Sequence, residues 1–429
     1  MLDKRTIFFT GIGGIGMSAL AQLLKERGDA VSGSDREESP ITEMLVGKGI
    51  EVHIGQKEEH IFEGINLLVY SDAVPESNPE RARARELGIT ELSYFEMLGT
   101  VSATKRTVAV AGTHGKTTTT GMLTKILYDA EVHPQAIIGS IVRDFGSNYL
   151  SSGDIDSNVF IVEACEWKRH FLSLSPEVLV ITNLEFDHTD YFDDLSDVQD
   201  AFASLISKVP SHGAIITDTE HPNIAPLLQH TGARVIDYMK EPVYPLVLKG
   251  EFNEMNARAA AAAAKVIAPE ISMTSLNRSL ESFTGTWRRF EYKGVTKTGA
   301  RVYDDYAHHP TAIMETLRAL KPEVNGKVYV AFHPHLYSRT RDLFDGFVRA
   351  FRLADEVLIA PIYPAREIDD GTVSSELLAG AMGTIGTHAR ALSFEDIEQV
   401  LLHEPKEGDV IMTMGAGDIY KIADRLTAN

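Results

Sequence analysis

Short apolar runs alternate with helical patterns along almost the whole chain, and this alternation constrains the fold more than any other feature. Strands that are separated by helices pair in parallel, because the crossover must return the chain to the same end of the sheet. The pattern therefore predicts an α/β protein with parallel sheets. With 429 residues, the chain is long enough for about three domains of ordinary size.

We place the domain boundaries where new strand patterns begin, near Ala103 and near Gly285. The predicted domains are 1–103, 104–284 and 285–429. The predicted strands are, in chain order, 6–10, 30–34, 67–70, 107–110, 158–162, 178–182, 301–304, 327–332, 356–361 and 409–412. Helices are predicted at 14–27 and in the alanine-rich stretch after Asn253, because alanine is the best helix former.

Composition excludes several classes of protein. The formal net charge of -20 argues against nucleic acid as a partner. No apolar run reaches the roughly 20 residues of a membrane span, and the first residues do not resemble a signal peptide. The single cysteine, Cys165, cannot form an internal disulfide and fits a reducing compartment as a small buried residue. We expect a cytoplasmic protein without a membrane span, either a monomer or a homodimer.

The segment Ala111–Thr120 reads Ala-Gly-Thr-His-Gly-Lys-Thr-Thr-Thr-Thr and directly follows a predicted strand. A glycine-containing turn between a strand and a helix directs several backbone N–H groups to one point, which suits phosphate oxygens. Lys116 would bring a positive charge to the transferred phosphate, and the Thr117 hydroxyl would complete the coordination of a magnesium ion. Val110 occupies the position where the usual motif has its first glycine. We predict an ATP site; the alternative is an ordinary turn with a chance lysine.

A second glycine-rich loop lies near the N-terminus, where Gly11–Gly16 reads Gly-Ile-Gly-Gly-Ile-Gly between a strand and a helix. Asp35 follows at the end of the next strand, where an acid can reach a ribose hydroxyl. This arrangement recognises a diphosphate and a ribose, so it suits NAD and a UDP-sugar equally well. A tight turn without a ligand is the alternative.

Polar residues follow the later strands. Glu163 and His188 lie at or just after strand ends, so they should project from the sheet edge that also carries the ATP loop. We predict that Glu163, and less typically His188, bind magnesium. In the third domain, His308, His335 and Arg339 also follow strands and are suited to bind a carboxylate. For both groups, a solvated loop edge is the alternative.

Taken together, these segments resemble the Mur ligase family, whose members are ATP-dependent amide-forming enzymes of peptidoglycan synthesis. The resemblance covers essentially the whole chain. It is carried by Gly11–Ala19, Gly112–Thr118, Thr182–His188 with Asp190, Asn253 with Asn256 and Ala257, Arg288–Phe290, Asp304–Pro310, Pro334–His335 with Ser338–Thr340, and Gly415–Asp418.

The resemblance implies three domains and a role for each group of residues. The UDP-sugar would be bound by Gly11, Ile12, Gly13, Gly14, Ile15, Asp35 and Ser71. ATP would be bound by Gly112, Thr113, His114, Gly115, Lys116, Thr117, Thr118, Asn256, Arg289 and Asp305. Magnesium would be held by Thr117, Glu163 and His188, and the amino acid by His308, His335 and Arg339. Lys116, Glu163 and His188 would be the catalytic residues.

The implied reaction joins L-alanine to UDP-N-acetylmuramate with ATP and Mg²⁺. A recycling ligase that adds a whole peptide to the same sugar nucleotide is one alternative. An NAD-dependent dehydrogenase that uses the first loop is another, and a UDP-sugar-binding scaffold is a third. Two departures from the family pattern concern the site: Ala164–Arg169 reads Ala-Cys-Glu-Trp-Lys-Arg, where many members carry Ala-Asp-Glu-Ser-Asp, and Leu336 stands where many have an arginine.

Overall fold

The computed structural model describes residues 4–151, 153, 158–365 and 367–428. The N-terminal sheet has five parallel strands in the order β3-β2-β1-β4-β5. Its elements are β1 (Thr6–Thr10), α1 (Ile15–Glu26), β2 (Ala30–Asp35), α2 (Pro40–Gly47), β3 (Glu51–Ile54), β4 (Leu67–Tyr70), α3 (Pro79–Glu86), β5 (Thr90–Ser93) and α4 (Tyr94–Ser102). The strand order reverses between β1 and β4, which is where open parallel sheets bind ligands. The glycine-rich loop after β1 therefore begins at the switch point.

The central sheet has seven strands in the order β12-β11-β10-β6-β9-β7-β8, and only β7 and β8 are antiparallel. Its elements are β6 (Arg106–Ala111), α5 (Lys116–Asp129), β7 (Gln135–Val142), β8 (Ser147–Leu150), β9 (Val159–Glu163), β10 (Val178–Ile181), α6 (Leu195–Ser207), β11 (Ala214–Thr217), β12 (Arg234–Asp237), α7 (Glu251–Ile267) and α8 (Met273–Ser282). Because β9 and β10 flank β6, their C-terminal ends lie on either side of the predicted ATP loop.

The C-terminal sheet has six strands in the order β13-β14-β18-β15-β16-β17, and only β13 and β14 are antiparallel. Its elements are β13 (Glu291–Val295), β14 (Arg301–Asp305), α9 (Pro310–Leu320), β15 (Val328–Phe332), α10 (Tyr337–Asp342), α11 (Phe344–Ala350), β16 (Glu356–Ile359), α12 (Ser375–Thr384), β17 (Ala389–Ala391), α13 (Phe394–His403), β18 (Val410–Met414) and α14 (Tyr420–Thr427). The ends of β14 and β15 flank β18, so residues after both strands lie at one edge.

The predicted strands and helices are all present, with ends that differ by one or two residues. Strands such as Val108–Ala111 and Val178–Ile181 are fully buried, because helices cover both faces of a parallel sheet. In α7, Ala259–Ala264 are at most 2% exposed, so the alanine run is a buried, closely packed surface. None of the helices in the described ranges has the length and apolarity required to cross a membrane.

The chain divides into two compact units by the density of its contacts. The first unit comprises Met1–Leu184, Gln199–Tyr244 and Ala257–Ser282, and the second comprises Glu185–Val198, Pro245–Asn256 and Phe283–Asn429. The first unit thus holds the N-terminal and central sheets, and the second unit holds the C-terminal sheet.

Helix α1 packs against β7 and β8, which joins the two sheets of the first unit. Asn148 is 2% exposed, and its Nδ2 donates to the Ile15 carbonyl at 2.5 Å and to Ser18 Oγ at 3.2 Å. At the other end of α1, Glu26 accepts hydrogen bonds from the hydroxyls of Tyr149 and Ser151. The helix that follows the glycine-rich loop is therefore fixed to the central sheet at both ends.

Candidate active site

The glycine-rich loop after β1 is held by strand β2. The N–H groups of Gly11 and Ile12 both donate to the Ser34 carbonyl at 2.9 Å, and Gly11 has a φ of +85°. Gly13 N donates to Asp35 Oδ2 at 2.7 Å. A β-carbon on Gly13 would lie 2.8 Å from the same oxygen, so the loop needs glycine at this position. Gly14 is the N-cap residue of α1, which begins at Ile15.

Asp35 was predicted to bind a ribose hydroxyl. In the structure, its carboxylate holds the glycine-rich loop in shape. Its second carboxylate oxygen accepts from Arg36 N at 2.7 Å. The predicted contact between Asp35 and a ribose hydroxyl stays a prediction. Ser71 lies beside the loop, since a β-carbon on Gly11 would come within 3.2 Å of Ser71 Cβ.

Tyr94 lies against the other end of the loop. A β-carbon on Gly16 would come within 2.6 Å of Tyr94 Cζ, so only glycine allows the tyrosine ring to approach the helix this closely. Burial, together with the nearby Glu163, raises the pKa of the Tyr94 hydroxyl well above its usual value. Because the hydroxyl stays protonated, it retains a proton that it can donate.

The predicted ATP loop between β6 and α5 is shaped by two glycines and by residues after β10. Gly112 has a φ of +131°, and Gly115, the N-cap of α5, has a φ of +82°. His114 N donates to Asn183 Oδ1 at 2.8 Å, and Thr182 Oγ1 donates to the His114 carbonyl at 2.5 Å. The neighbouring Thr113 donates through its N–H to the Asn183 carbonyl. The loop is thus held in one shape by the end of β10.

Lys116 is folded over this loop. Its ammonium donates to the Gly112 carbonyl at 2.5 Å, to the Thr113 carbonyl at 3.2 Å and to Glu166 Oε1 at 2.9 Å. Burial by itself would lower the pKa of Lys116, but Glu166 and Glu163 outweigh burial and raise it above the usual value. The lysine is therefore a fixed positive charge at the start of α5.

Glu163 lies beside the first turn of α5, as its position at a strand end predicts. Its Oε1 accepts from Thr117 Oγ1 at 3.0 Å, and its Oε2 accepts from Gly139 N at 2.8 Å. Thr117 and the following Thr118 are buried in this turn. A hydroxyl and a carboxylate side by side are the oxygen donors that Mg²⁺ prefers, so the two side chains fit a magnesium ion.

Substitution of Gly139 by alanine should displace Glu163. The new β-carbon would overlap the Glu163 carboxylate, which would have to turn away from Thr117. We expect a higher magnesium requirement and a lower rate of ATP-dependent turnover, measured by titrating Mg²⁺ in a phosphate-release assay. Gly380→Ala is the control, because a β-carbon there meets nothing within 4 Å. An unchanged magnesium titration in Gly139→Ala would contradict the assignment of Glu163.

In the second unit, the residues predicted to bind the amino acid form one cluster. Arg339 is 2% exposed; its Nε donates to Asp187 Oδ1 at 2.7 Å, and its Nη1 lies 3.2 Å from His335 Nδ1. The rings of His308 and His335 are 6.3 Å apart between centroids. His308 Nδ1 lies 2.9 Å from the Tyr306 carbonyl. The structure therefore brings all three predicted residues together and adds Asp187.

The charges of this cluster determine the protonation states of Asp187 and His308. Burial alone would raise the pKa of Asp187, but Arg339 and the nearby histidines hold it well below its usual value. Burial and the positive charge of Arg339 keep the pKa of His308 well below that of an exposed histidine. At neutral pH, Asp187 is therefore ionised and His308 is neutral.

His188 follows Asp187 in the second unit and has a φ of +54°. The N–H groups of Tyr191 and Phe192 donate to its carbonyl at 2.8 Å and 3.0 Å. A positive φ is uncommon outside glycine and is a strained backbone state for most side chains. The turn thus fixes the backbone of His188, and the magnesium contact of its imidazole stays a prediction.

The remaining predicted ATP ligands also belong to the second unit. Asn256 is 5% exposed, with Nδ2 3.4 Å from Asn253 Oδ1. The Arg289 guanidinium lies 4.9 Å from the centroid of the Tyr306 ring. Asp305 accepts from Phe290 N and from Ala307 N, both at 2.7 Å.

Asp305 and Arg288 fix the turn that carries Arg289. Arg288 and Phe290 have φ values of +58° and +46°. Arg288 is 4% exposed and donates to Asp304 Oδ2 at 2.8 Å and to the Gly415 carbonyl at 2.6 Å. Because both carboxylate oxygens of Asp305 accept backbone N–H groups, its observed role is to hold this turn, and its contact with ATP stays a prediction.

The Asp305 carboxyl should make stability depend on pH. Burial raises its pKa from 3.8 to about 6, so the folded protein binds this proton more tightly than the unfolded chain. The stabilisation from protonated Asp305 is fully present below pH 4 and is lost as the pH rises through about 6. We expect the stability difference between the protein and Asp305→Asn to shrink by about 1 kcal/mol from pH 5 to pH 7.5.

Urea unfolding would measure this difference in a Trp167→Phe background, where Trp287 reports the second unit. Asparagine keeps only one of the two acceptor oxygens, so the lost hydrogen bond lowers the stability of Asp305→Asn by an amount that does not depend on pH. A difference that did not change with pH would contradict the raised pKa.

Sequence reasoning assigned no role to Glu166, Asp187, Tyr94 or Arg288, although all but Tyr94 lie in segments that it singled out. Glu166 and Asp187 stand next to singled-out residues, but their partners are distant in the sequence, so only the fold identifies them as ion-pair partners of Lys116 and Arg339. Tyr94 gives no signal, because its contact with Gly16 requires knowledge of how α4 packs.

Family models match all three parts of the chain. The model described as "Mur ligase family, catalytic domain" matches residues 6–106, "Mur ligase middle domain" matches 110–244, and "Mur ligase, glutamate ligase domain" matches 288–417. Among curated relatives, UDP-N-acetylmuramate--L-alanine ligase from Clostridium acetobutylicum is 38% identical over 451 residues and covers 98% of this chain and 97% of its own. The protein of the same name from Lachnospira eligens is 38% identical over 452 residues, with the same coverage.

Solved structures agree with the sequence relatives. The UDP-N-acetylmuramate-alanine ligase MurC from Thermotoga maritima has a TM-score of 0.77, with 26% identity and 98% coverage of both chains. A murein peptide ligase from Psychrobacter arcticus has a TM-score of 0.74, also with 26% identity and 98% coverage of both chains. The predicted resemblance and the predicted three-part α/β architecture are confirmed: the chain belongs to the Mur ligase family.

Proposed function

We propose that this protein is an ATP-dependent ligase that joins L-alanine to the lactyl carboxylate of UDP-N-acetylmuramate, with ADP and phosphate as products, in peptidoglycan precursor synthesis. The observation that carries the proposal is the arrangement after β6 and β9, where Lys116, Thr117 and Glu163 meet at a phosphate-type loop. The names of the curated relatives support the choice of substrates.

In the first step, the lactyl carboxylate attacks the terminal phosphate of ATP, the bond from that phosphorus to the bridging oxygen of ADP breaks, and an acyl phosphate forms. Such a transfer needs positive charge and correct placement more than a nucleophilic side chain. Lys116 supplies a fixed positive charge, and the N–H groups at the start of α5 supply donors to phosphate oxygens. No covalent intermediate with the protein is required.

Thr117 and Glu163, which lie 3.0 Å apart between Oγ1 and Oε1, are the residues that would hold a magnesium ion. His188 is proposed as a further ligand. When bound, the ion would offset negative charge on the phosphates.

In the second step, the amine of L-alanine attacks the acyl carbon, a tetrahedral intermediate forms, and phosphate leaves. Arg339, oriented by Asp187, would bind the carboxylate of the amino acid through its remaining N–H groups. If His308 Nδ1 carries the proton donated to the Tyr306 carbonyl, its Nε2 is an acceptor for the proton that the amine must lose. The low pKa of His308 keeps that nitrogen unprotonated at neutral pH.

Phosphate release with ATP, Mg²⁺ and UDP-N-acetylmuramate would test the proposal, with no amine, L-alanine, glycine, L-serine or the tripeptide L-alanyl-γ-D-glutamyl-diaminopimelate added in turn. We expect release that depends on L-alanine. Release that requires the tripeptide would instead support a peptide ligase. The peptide ligase is the second candidate because the murein peptide ligase from Psychrobacter arcticus has a similar fold. A dehydrogenase is less well supported, because it gives no role to Lys116 or Glu163.

The boundaries of the three domains at 103 and 284 are part of this proposal, as is a cytoplasmic location. The roles of the individual ATP, UDP-sugar and amino-acid residues named from the family resemblance are also proposals. The choice between a monomer and a homodimer stays a prediction.

A further inference from the structure

The turn Trp167–His170 in the first unit begins at the ATP loop. Glu166, the residue before it, is 3% exposed and accepts from the Lys116 ammonium at 2.9 Å. Since Lys116 lies at the start of α5, the N-terminal end of the turn is tied to the phosphate-binding end of that helix.

The other end of the turn is tied to the glycine-rich loop of the N-terminal sheet. His170 Nε2 lies 2.7 Å from Asp72 Oδ2, and its ring stacks on Phe95 with 3.8 Å between centroids. Asp72 follows Ser71, which lies beside Gly11, and Phe95 follows Tyr94, which packs against Gly16. A continuous set of contacts therefore joins the two phosphate-type loops through this turn.

The backbone of the turn is strained. Lys168 and Arg169 have φ values of +50° and +58°, a conformation that few residues other than glycine and asparagine adopt. Arg169 N donates to the Glu166 carbonyl at 2.8 Å. Phe171, the residue that follows the turn, is 1% exposed and packs against the Phe202 ring. Strain of this kind persists where the surroundings fix it, and it occurs preferentially at ligand sites.

The strained turn carries two consecutive positive charges in a chain of net charge -20. Lys168 is exposed, with Nζ 4.5 Å from the centroid of the Trp167 ring, and Arg169 is half-buried. Under the proposed function, the sugar nucleotide must extend from the glycine-rich loop, where its diphosphate binds, to the ATP loop, where its carboxylate reacts. Both of those groups are anions.

We propose that Lys168 and Arg169 form an anion subsite for the sugar nucleotide, and that the His170–Asp72 pair positions the turn that carries them. The inference rests on the proposed function. The group that binds there is an anionic oxygen group of the sugar nucleotide, which is either its diphosphate or its lactyl carboxylate.

Calorimetric titration of the full chain would test the subsite with two ligands: UDP-N-acetylmuramate, which has both anions, and UDP-N-acetylglucosamine, which lacks the carboxylate. The variant is Lys168→Asn with Arg169→Asn, because asparagine tolerates this backbone conformation and removes the charges. We expect UDP-N-acetylmuramate to bind at least about tenfold more weakly, as for a lost hydrogen bond to a charged group, with ATP affinity unchanged. An equal loss for both ligands identifies the diphosphate, and a loss for UDP-N-acetylmuramate alone identifies the carboxylate.

Lys297→Asn with Lys406→Asn is the matched control, since it removes two charges from exposed lysines of the second unit. If the double variant folds poorly, each single substitution in the turn can be tested instead. Each should also weaken the binding of UDP-N-acetylmuramate, by a smaller factor. For the positioning pair, Asp72→Asn should raise the KM for UDP-N-acetylmuramate several-fold, with little change in kcat or in the KM for ATP.

Wild-type affinity of the folded double variant for UDP-N-acetylmuramate would overturn the subsite alone. Failure of the unaltered protein to bind either sugar nucleotide would overturn the proposed function and, with it, the subsite. A kcat decrease in Asp72→Asn with an unchanged KM would overturn the positioning role.

Discussion

Replacement of Lys116 by alanine is expected to lower phosphate release by at least about 100- to 1000-fold, the usual cost of removing one group that stabilises developing charge. The ammonium is the cation that the structure places on the loop carbonyls of Gly112 and Thr113 at the start of α5. Under the proposed function, its charge would offset the negative charge of the transferred phosphate. The measurement is the steady-state rate of L-alanine-dependent phosphate release at saturating ATP.

The same substitution leaves Glu166 buried without its cation, so a folding defect must be separated from a chemical one. Glu166→Gln provides the control, because it retains the lysine and removes the paired charge. The double variant Lys116→Ala with Glu166→Gln should recover stability but not activity. Near-normal turnover in folded Lys116→Ala protein would show that Lys116 has no role in phosphoryl transfer.

Replacement of Arg339 by methionine should cost about 3 to 5 kcal/mol of stability, because it leaves the ionised Asp187 buried and unpaired. It should also raise the KM for L-alanine by at least about tenfold, since the donor that we propose for the substrate carboxylate would be lost. Chemical unfolding and steady-state kinetics measure the two effects.

The double variant Asp187→Asn with Arg339→Met separates the effects. Removal of both charges should restore most of the stability, whereas the KM for L-alanine should stay high. If stability and KM recovered together, Arg339 would be a structural residue only, and the amino acid would be bound elsewhere.

The sequence could predict that side chains at the strand ends lie close together, because parallel strands end at one edge of a sheet. Glu163 follows β9, Thr117 follows β6, and β6 and β9 are neighbours, so their side chains meet as expected. The same reasoning predicted that His308, His335 and Arg339 follow adjacent strands and lie close together. In the structure they follow β14 and β15, which are separated by β18.

The sequence could not predict which side-chain oxygen atoms accept hydrogen bonds from the protein's own backbone. Asp305 and Asp35 look like ligands for ATP and ribose, yet each carboxylate holds a turn by accepting N–H groups. Leu336 is a second example: it is buried, with a φ of +72° at the start of α10, a strained state that no pattern of residue types reveals. Such features depend on exact backbone geometry, which only the assembled sheets define.

The attachment of α1 to β7 and β8 limits how this protein can be divided for study. A fragment that ended at residue 103 would retain the glycine-rich loop but would lose Asn148, the donor to the Ile15 carbonyl in the first turn of α1. Such a fragment would also expose the side of α1 that packs on the central sheet. A fragment that keeps the glycine-rich loop and the first turn of α1 in their observed surroundings must therefore also contain the β7–β8 hairpin.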